Sequence, residues 1–255
     1  MTRPAPTGRA ILALARMELR LALRRGENLL VMLVIPIALL AFFANLDIGP
    51  LGTGPSAVAA LLPGTLAIAI IATSLVNLGI ATAYERSYGV LKRLGGAPLP
   101  RWGVVAAKIV AIAAIEVVQV VLLLAIAAIV LGWVPTLDDL VTRIVLLLVG
   151  AALGTAAFAG LGLLLAGTLR AEATLALANG LFLAFLMLGG TILPLDHLPE
   201  PLATIGLALP SSALTDLLHA ALASAAGGDL VRPIVVLGAW AIAAIALAGR
   251  FFRWE

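Results

Sequence analysis

Six long apolar runs, separated by short polar segments, determine what this chain can fold into. A helix needs about 20 apolar residues to cross the hydrocarbon core of a bilayer, and each run is close to that length or above it. The charged fraction is 11%, whereas a soluble domain has about 25% charged residues. The sequence therefore predicts an all-α polytopic membrane protein, organised as a single transmembrane domain over residues 1–255. The six predicted transmembrane helices cover approximately residues 28–46, 57–83, 104–131, 141–168, 173–193 and 231–249.

The distribution of cations predicts the orientation of these helices. If the N-terminus is cytoplasmic, the outside segments contain only Arg143 and Arg232. Because cytoplasmic loops are enriched in Lys and Arg, we expect a multi-pass protein of the cell membrane with both termini in the cytoplasm. These cations flank the predicted spans, where they contact the lipid bilayer. Their number accounts for the pI near 9.9, so no nucleic-acid partner is expected. The predicted inside cations are Arg3, Arg9, Arg16, Arg20, Arg24, Arg25, Arg86, Lys92, Arg93, Arg101, Lys108, Arg170, Arg250 and Arg253.

The polar stretch before the first run, residues 8–26, has the pattern of an interfacial helix. Its arginines share one side of a helix, which suits contact with lipid phosphates; they include Arg16, Arg20 and Arg24, with Arg25 next to them. A simple topogenic anchor is the alternative interpretation. The apolar run that follows is longer than the core of a signal peptide, which has about 7–15 residues, so we interpret it as a retained span, kinked at Pro36.

The polar loop that follows the second run, residues 84–103, is patterned as an amphipathic helix. Tyr84, Tyr88 and Leu91 are spaced at i, i+4 and i+7, which places them on one helical face. Charged side chains lie off that face, and the glycines and prolines from residue 95 onward end the helix. Such a helix either rests on anionic headgroups or docks a partner protein through its charged residues. These residues are Glu85, Arg86, Lys92 and Arg93.

Polar residues also occur inside the predicted spans. Glu116 and Gln119 lie one turn apart in the third span, while Asn77 and Asn179 lie in the second and fifth. An ionised group at the bilayer centre costs about 2.5–3.5 kcal/mol on insertion scales, so Glu116 is expected to face the protein interior. These residues are either polar contacts on a substrate path or packing hydrogen bonds between helices.

The outside loop, residues 194–230, contains two short apolar helices that are predicted to enter the outer leaflet between the fifth and sixth spans. His197 and His219, with Asp196 and Asp216, lack the spacing of a metal site, so no metal is expected. The chain also has no cysteine and no GxxxxGK[ST] motif, which excludes thiolate chemistry and ATP binding through a P-loop.

Three blocks of this sequence resemble the membrane subunits of ABC transporters of the type-2 permease family, which includes drug, lipid and polysaccharide exporters. The first block is the basic helix that leads through Arg24 and Arg25 to Pro36. The second is Glu85-Arg-Ser-Tyr-Gly-Val-Leu-Lys-Arg-Leu94, followed by Pro98-Leu99 and Lys108, which is similar to the family's "ER..G.L..L…PL…K" loop. The third runs from Gly189-Gly190 through Pro194 and Pro199 to Pro210. Ser87 departs from the pattern, since an acidic residue is common there.

The resemblance implies an exporter that moves amphipathic or hydrophobic substrates by alternating access. This chain would pair with a second copy or a paralogue and with a cytoplasmic dimer of ABC ATPases. It would not be an enzyme and would bind no cofactor, because ATP and Mg²⁺ belong to the ATPase. The implied ATPase-coupling residues are Glu85, Arg86, Tyr88, Gly89, Leu91, Lys92, Arg93, Leu94, Pro98, Leu99 and Arg101, together with the helix around Arg16–Arg25; the implied extracellular gate contains Pro194, Pro199 and Pro210. Two alternatives remain: an intramembrane enzyme that uses Glu116, and a proton-coupled secondary carrier.

Overall fold

A computed structural model describes residues 6–24, 26–46, 53–94, 100–135, 137–191, 195, 199–223 and 229–252, without the side chains of residues 27–29, 31, 93, 94 and 101. Within these ranges every long regular element is a helix, so the predicted all-α polytopic fold is confirmed. The helices are α1 (Thr7–Arg24), α2 (Gly26–Ala44), α3 (Pro55–Ile71), α4 (Leu78–Ser87), α5 (Val90–Leu94), α6 (Arg101–Ile129), α7 (Leu140–Thr168), α8 (Ala171–Leu188), α9 (Glu200–Leu207), α10 (Pro210–Leu222) and α11 (Val231–Phe251).

Among the described residues, five continuous helical stretches are long and apolar enough to cross a membrane. The first predicted span corresponds to α2, in which Met32–Ala44 forms a shorter apolar helix. The short helices α9 and α10 are bent by 75° at Pro210, and they count as a sixth crossing only if the pair is taken as one span. The five stretches are Pro55–Ser87, Trp102–Ile129, Leu140–Thr168, Ala171–Leu188 and Val231–Phe251.

The stretch Pro55–Ser87 contains an irregular turn near its middle. Residues Ala72–Asn77 form a π-helical segment between α3 and α4. A π-helical turn inserts one extra residue into the helix, and such turns occur frequently at functional sites. The segment contains Thr73, Ser74 and Asn77, so the irregular turn coincides with the polar residues of this span.

Helix α7 lies at the centre of the bundle, and its small residues allow neighbouring helices to approach closely. A Cβ atom on Gly154 would lie 2.9 Å from Leu214 of α10, and one on Gly160 would lie 2.8 Å from Ala244 of α11. A Cβ atom on Gly162 would lie 2.7 Å from the backbone oxygen of Leu75, within the π-helical segment. The glycines of the fourth predicted span therefore set the contacts of three neighbouring elements.

Candidate functional site

A buried ion cluster joins three elements at one end of the bundle. The ammonium of Lys108, on α6, lies 2.8 Å from Glu18 Oε1 of α1 and 2.6 Å from Glu85 Oε2 of α4. The Lys108 side chain is 2% exposed, and the two carboxylates are 13% and 17% exposed. At this burial, a charge without a partner costs several kcal/mol. The three charges therefore hold the N-terminal helix, the end of the second long span and the next span together. We call this the Lys108 cluster.

A small cavity continues from the Lys108 cluster into the bundle. Its volume is ≈ 80 Å³, and its walls include Glu18, Glu85 and Lys108 at one side and Met32 and Asn77 at the other. Asn77 donates a hydrogen bond to the sulfur of Met32 at 3.1 Å. The cavity therefore connects the ion cluster to the polar residues of the irregular turn.

The predicted single amphipathic helix over Tyr84, Tyr88 and Leu91 is wrong in its geometry. Helix α4 ends at Ser87, and Gly89 adopts a φ of 72° before α5 begins. This left-handed conformation favours glycine and it interrupts the helical periodicity. As a result, Leu91 is fully buried whereas Tyr88 is 75% exposed, although the rings of Tyr84 and Tyr88 stack with centroids 6.1 Å apart.

Two of the four charged residues that are predicted to dock a partner, Glu85 and Arg86, contact other parts of this chain instead. Glu85 faces Lys108, and the guanidinium of Arg86 donates a hydrogen bond to the backbone oxygen of Leu169. Leu169 lies in the tight turn between α7 and α8. Arg86 therefore links the α4–α5 corner to a second turn at the same end of the bundle. Among the described side chains of the corner, those of Ser87, Tyr88, Val90 and Lys92 are exposed.

Four arginines lie on the exposed surface of α1. Arg9, Arg16, Arg20 and Arg24 are all exposed, while Leu19 and Ala22 pack on the core of the bundle. The pattern of the sequence does not single out Glu18 as a site residue. It is the only acidic residue within α1, and that contrast was the available signal, because an acidic residue in a helix that contacts anionic lipid needs a cationic partner.

Several predicted coupling and gate residues cannot be placed in this geometry. Arg25, Pro98, Leu99 and Pro194 lie outside the described residues, as do Asp196 and His197. The backbones of Arg93, Leu94 and Arg101 belong to α5 and α6, and their side chains lie outside the described part.

A hydrogen-bonded network links the irregular turn to α2 and α6. Thr73 donates to Gln119 Oε1 at 3.1 Å, and Gln119 Nε2 donates to the backbone oxygen of Met32 at 2.9 Å. Met32 is four residues before Pro36, which has no N–H to donate to that oxygen. The Gln119 amide therefore replaces the hydrogen bond that the proline removes, as neighbouring helices commonly do in membranes.

Glu116 lies one turn from Gln119 and is also buried. Its Oε2 accepts a hydrogen bond from Thr155 of α7, and Ser74 of the irregular turn lies beside the carboxyl. No described residue makes a hydrogen bond to Oε1. The carboxyl therefore faces the interior between three elements, as predicted. Asn179 is separate from this group: it lies on the exposed side of α8 and donates to the backbone oxygen of Leu175 at 2.8 Å.

The predicted gate lies at the opposite end of the bundle. Pro199 precedes the first residue of α9, and Pro210 is the buried first residue of α10. Arg232 of α11 pairs with Asp216 of α10 at 2.5 Å, and Trp240 donates to the backbone oxygen of Ala208 at 2.9 Å. Both bonds fix the α9–α10 corner to α11. The described residues contain no group of three or more His, Cys, Asp or Glu side chains suited to a metal.

The comparison with protein families agrees with this architecture. The family described as ABC-2 type transporter matches residues 9–222, a range that contains the Lys108 cluster, the polar network and the α9–α10 corner. The chain therefore belongs to the ABC-2 type transporter family and is a multi-pass membrane subunit of a transporter. A comparison with curated proteins found no match.

Proposed function

We propose that this chain is the membrane subunit of an ATP-driven exporter and that a separate ABC ATPase supplies the energy. The observation that carries the proposal is the Lys108 cluster, because it connects the α4–α5 corner and α1 to a long span through buried charges. A movement of the exposed corner is therefore transmitted to α6, whereas a flexible loop would absorb it. Both termini are expected in the cytoplasm, where an ATPase dimer reaches this end.

The exposed side chains of the corner are the proposed contact with the ATPase. Tyr88 offers a large ring with a hydroxyl, and Val90 and Lys92 lie beside it on the exposed side. Aromatic side chains with a polar group are enriched where proteins bind one another. Arg86 has a different proposed role: it keeps the corner attached to the α7–α8 turn through Leu169.

A second copy of the chain, or a paralogue, completes the proposed transporter. Helix α8 exposes much of its apolar surface, including Leu177, Leu183 and Met187, which suits contact with either lipid or a second permease. Substrates are proposed to be amphipathic or hydrophobic and to move outward past Asn77, Glu116 and Gln119. Asn179 remains a candidate for the path only if its exposed side faces the second copy.

The test compares ATP hydrolysis with transport in vesicles that contain the chain and its co-expressed ATPase. Assayed below its own unfolding temperature, Glu18→Gln/Glu85→Gln is expected to retain the ATPase and its hydrolysis while ATP-dependent transport of a hydrophobic dye and a fluorescent phospholipid falls. Glu172→Gln, which removes an exposed carboxylate in the first turn of α8, serves as the control and should leave both rates unchanged. Equal transport by the double variant and the control would contradict the proposed coupling.

The same vesicles separate this function from the two alternatives. Transport that is driven by a pH gradient and persists without any ATPase would indicate a proton-coupled carrier. Chemical turnover by the purified chain alone would indicate an intramembrane enzyme, and Glu116→Gln would then abolish that turnover.

A further inference from the structure

A second and larger cavity lies at the end of the bundle opposite the Lys108 cluster. Its volume is ≈ 350 Å³, and it is bounded by the end of α6, the start of α7 and the C-terminal end of α10. Ligand cavities commonly begin at about 300 Å³. Most of its wall is apolar, with contributions from Leu124, Ala128, Trp133, Leu140, Ile144 and Leu147.

Of the described residues that line this cavity, Arg143 is the one that carries a charge. It is 8% exposed. Its Nε donates to the backbone oxygen of Asp138 at 2.9 Å, and its Nη1 donates to the backbone oxygens of Ala223 at 2.7 Å and Ala221 at 3.4 Å. Nη2 has no hydrogen bond to any residue in the described ranges. The guanidinium thus caps the C-terminal end of α10, and its Nη2 has no protein partner among the described residues.

The partners of Arg143 are neutral carbonyls, and no described carboxylate pairs with it. The last carbonyls of a helix carry about half a negative charge, so they compensate the guanidinium only in part. Arg232 differs, because it lies at the same end of the bundle and is paired with the carboxylate of Asp216. A buried cation without a full counter-charge is unfavourable, so Arg143 is suited to an external anion.

We propose that this cavity binds an anionic phospholipid from the adjacent leaflet. The lipid phosphate accepts hydrogen bonds from Arg143, whose planar guanidinium matches phosphate geometry. One acyl chain lies along the apolar wall formed by α6 and α7. Trp133 borders the headgroup, a position in which tryptophan is enriched in membrane proteins. This site is independent of the proposed ATP-driven export, since it lies at the other end of the bundle from the Lys108 cluster.

The test measures bound lipid on the purified full chain by native mass spectrometry, with phosphatidylglycerol and phosphatidylcholine as probes. The wild-type chain is expected to retain phosphatidylglycerol in preference to phosphatidylcholine. Arg143→Gln keeps a donor for the carbonyl of Ala223 but removes the charge, and the preference should fall about tenfold. Arg232→Gln is the matched control and should keep the preference.

A second variant separates lipid binding from the role of Arg143 at the end of α10. Ala128→Phe leaves Arg143 intact and fills the cavity from its exposed side, so it should also lose bound phosphatidylglycerol while the chain stays folded. Equal binding of the two lipids by the wild-type chain would overturn the proposal, as would a preference that survives in both variants. Thermal stabilisation by free inorganic phosphate equal to that by phosphatidylglycerol would overturn the assignment to a lipid.

Discussion

The Lys108 ammonium has two carboxylate partners from two different helices. The fold is expected to remain stable when one carboxylate is removed, because the other still neutralises the ammonium. Removal of both carboxylates leaves the ammonium buried without a counter-charge. Breaking a buried ion pair by removing one side is costly only when a charge remains without compensation. Stability and coupling therefore depend on the cluster as a unit.

Glu18→Gln and Glu85→Gln are each expected to lower the thermal stability of the purified chain slightly. The double variant should lose more than the sum of the two, about 3–5 kcal/mol in the free energy of unfolding, because Lys108 is then buried without a counter-charge. Thermal unfolding in detergent measures the three values. Additive losses would show that the carboxylates do not share Lys108.

Gln119 provides a second test at this scale. Gln119→Leu leaves the Met32 oxygen and the Thr73 hydroxyl without their partner, which is expected to cost about 1–3 kcal/mol. Pro36→Ala restores the N–H that bonds the Met32 oxygen, so Gln119→Leu should cost less in that background. A double-mutant cycle of unfolding temperatures measures the difference, with Asn179→Leu on the exposed side of α8 as the control. The same cost in both backgrounds would contradict the link to Pro36.

The α4–α5 corner is the element on which the proposed docking depends. Its shape follows from Gly89, whose φ of 72° turns the chain between the two helices. A Cβ atom at this position meets nothing within 4 Å, so space does not limit substitution there. The backbone conformation alone decides which residues are tolerated.

Gly89→Val is expected to strain the corner by about 1–2 kcal/mol and to reduce co-purification of the ATPase. Gly89→Asn should be milder, because asparagine adopts the left-handed conformation more readily. Gly238→Ala, in the interior of α11 and also without contacts within 4 Å, is the matched control and should keep the ATPase. Pull-down of the co-expressed ATPase measures how much ATPase each of the three variants retains. A Gly89→Val variant that binds as well as Gly89→Asn would contradict the account.

At the scale of the whole molecule, the pattern of apolar runs predicts the five long helical stretches of the described residues. The same pattern cannot predict tertiary pairing. Glu85 and Arg86 read as surface charges because their partners, Lys108 and the Leu169 oxygen, are distant in sequence. Local spacing gives no information about such contacts.

The interruption at Gly89 was missed for a different reason. Helical periodicity over Tyr84, Tyr88 and Leu91 assumes one continuous helix. A single residue with positive φ breaks that helix and changes the direction in which the later side chains point. The interior position of Glu116 was predictable from the cost of burying its charge. Its neighbours Thr155 and Ser74 were not, because a hydroxyl side chain within a span carries no local signal of which helix it will contact.

The central claim is that an ATPase docks on the exposed α4–α5 corner, and cysteine cross-linking tests it most directly. The chain contains no cysteine, so a single Tyr88→Cys change gives one reactive site. Val134→Cys, exposed at the opposite end of the bundle, is the matched control. With a thiol-to-amine cross-linker, Tyr88→Cys is predicted to form a covalent adduct with the co-expressed ATPase, and Val134→Cys none. An adduct from Val134→Cys, or none from Tyr88→Cys in a complex that still hydrolyses ATP, would contradict the account.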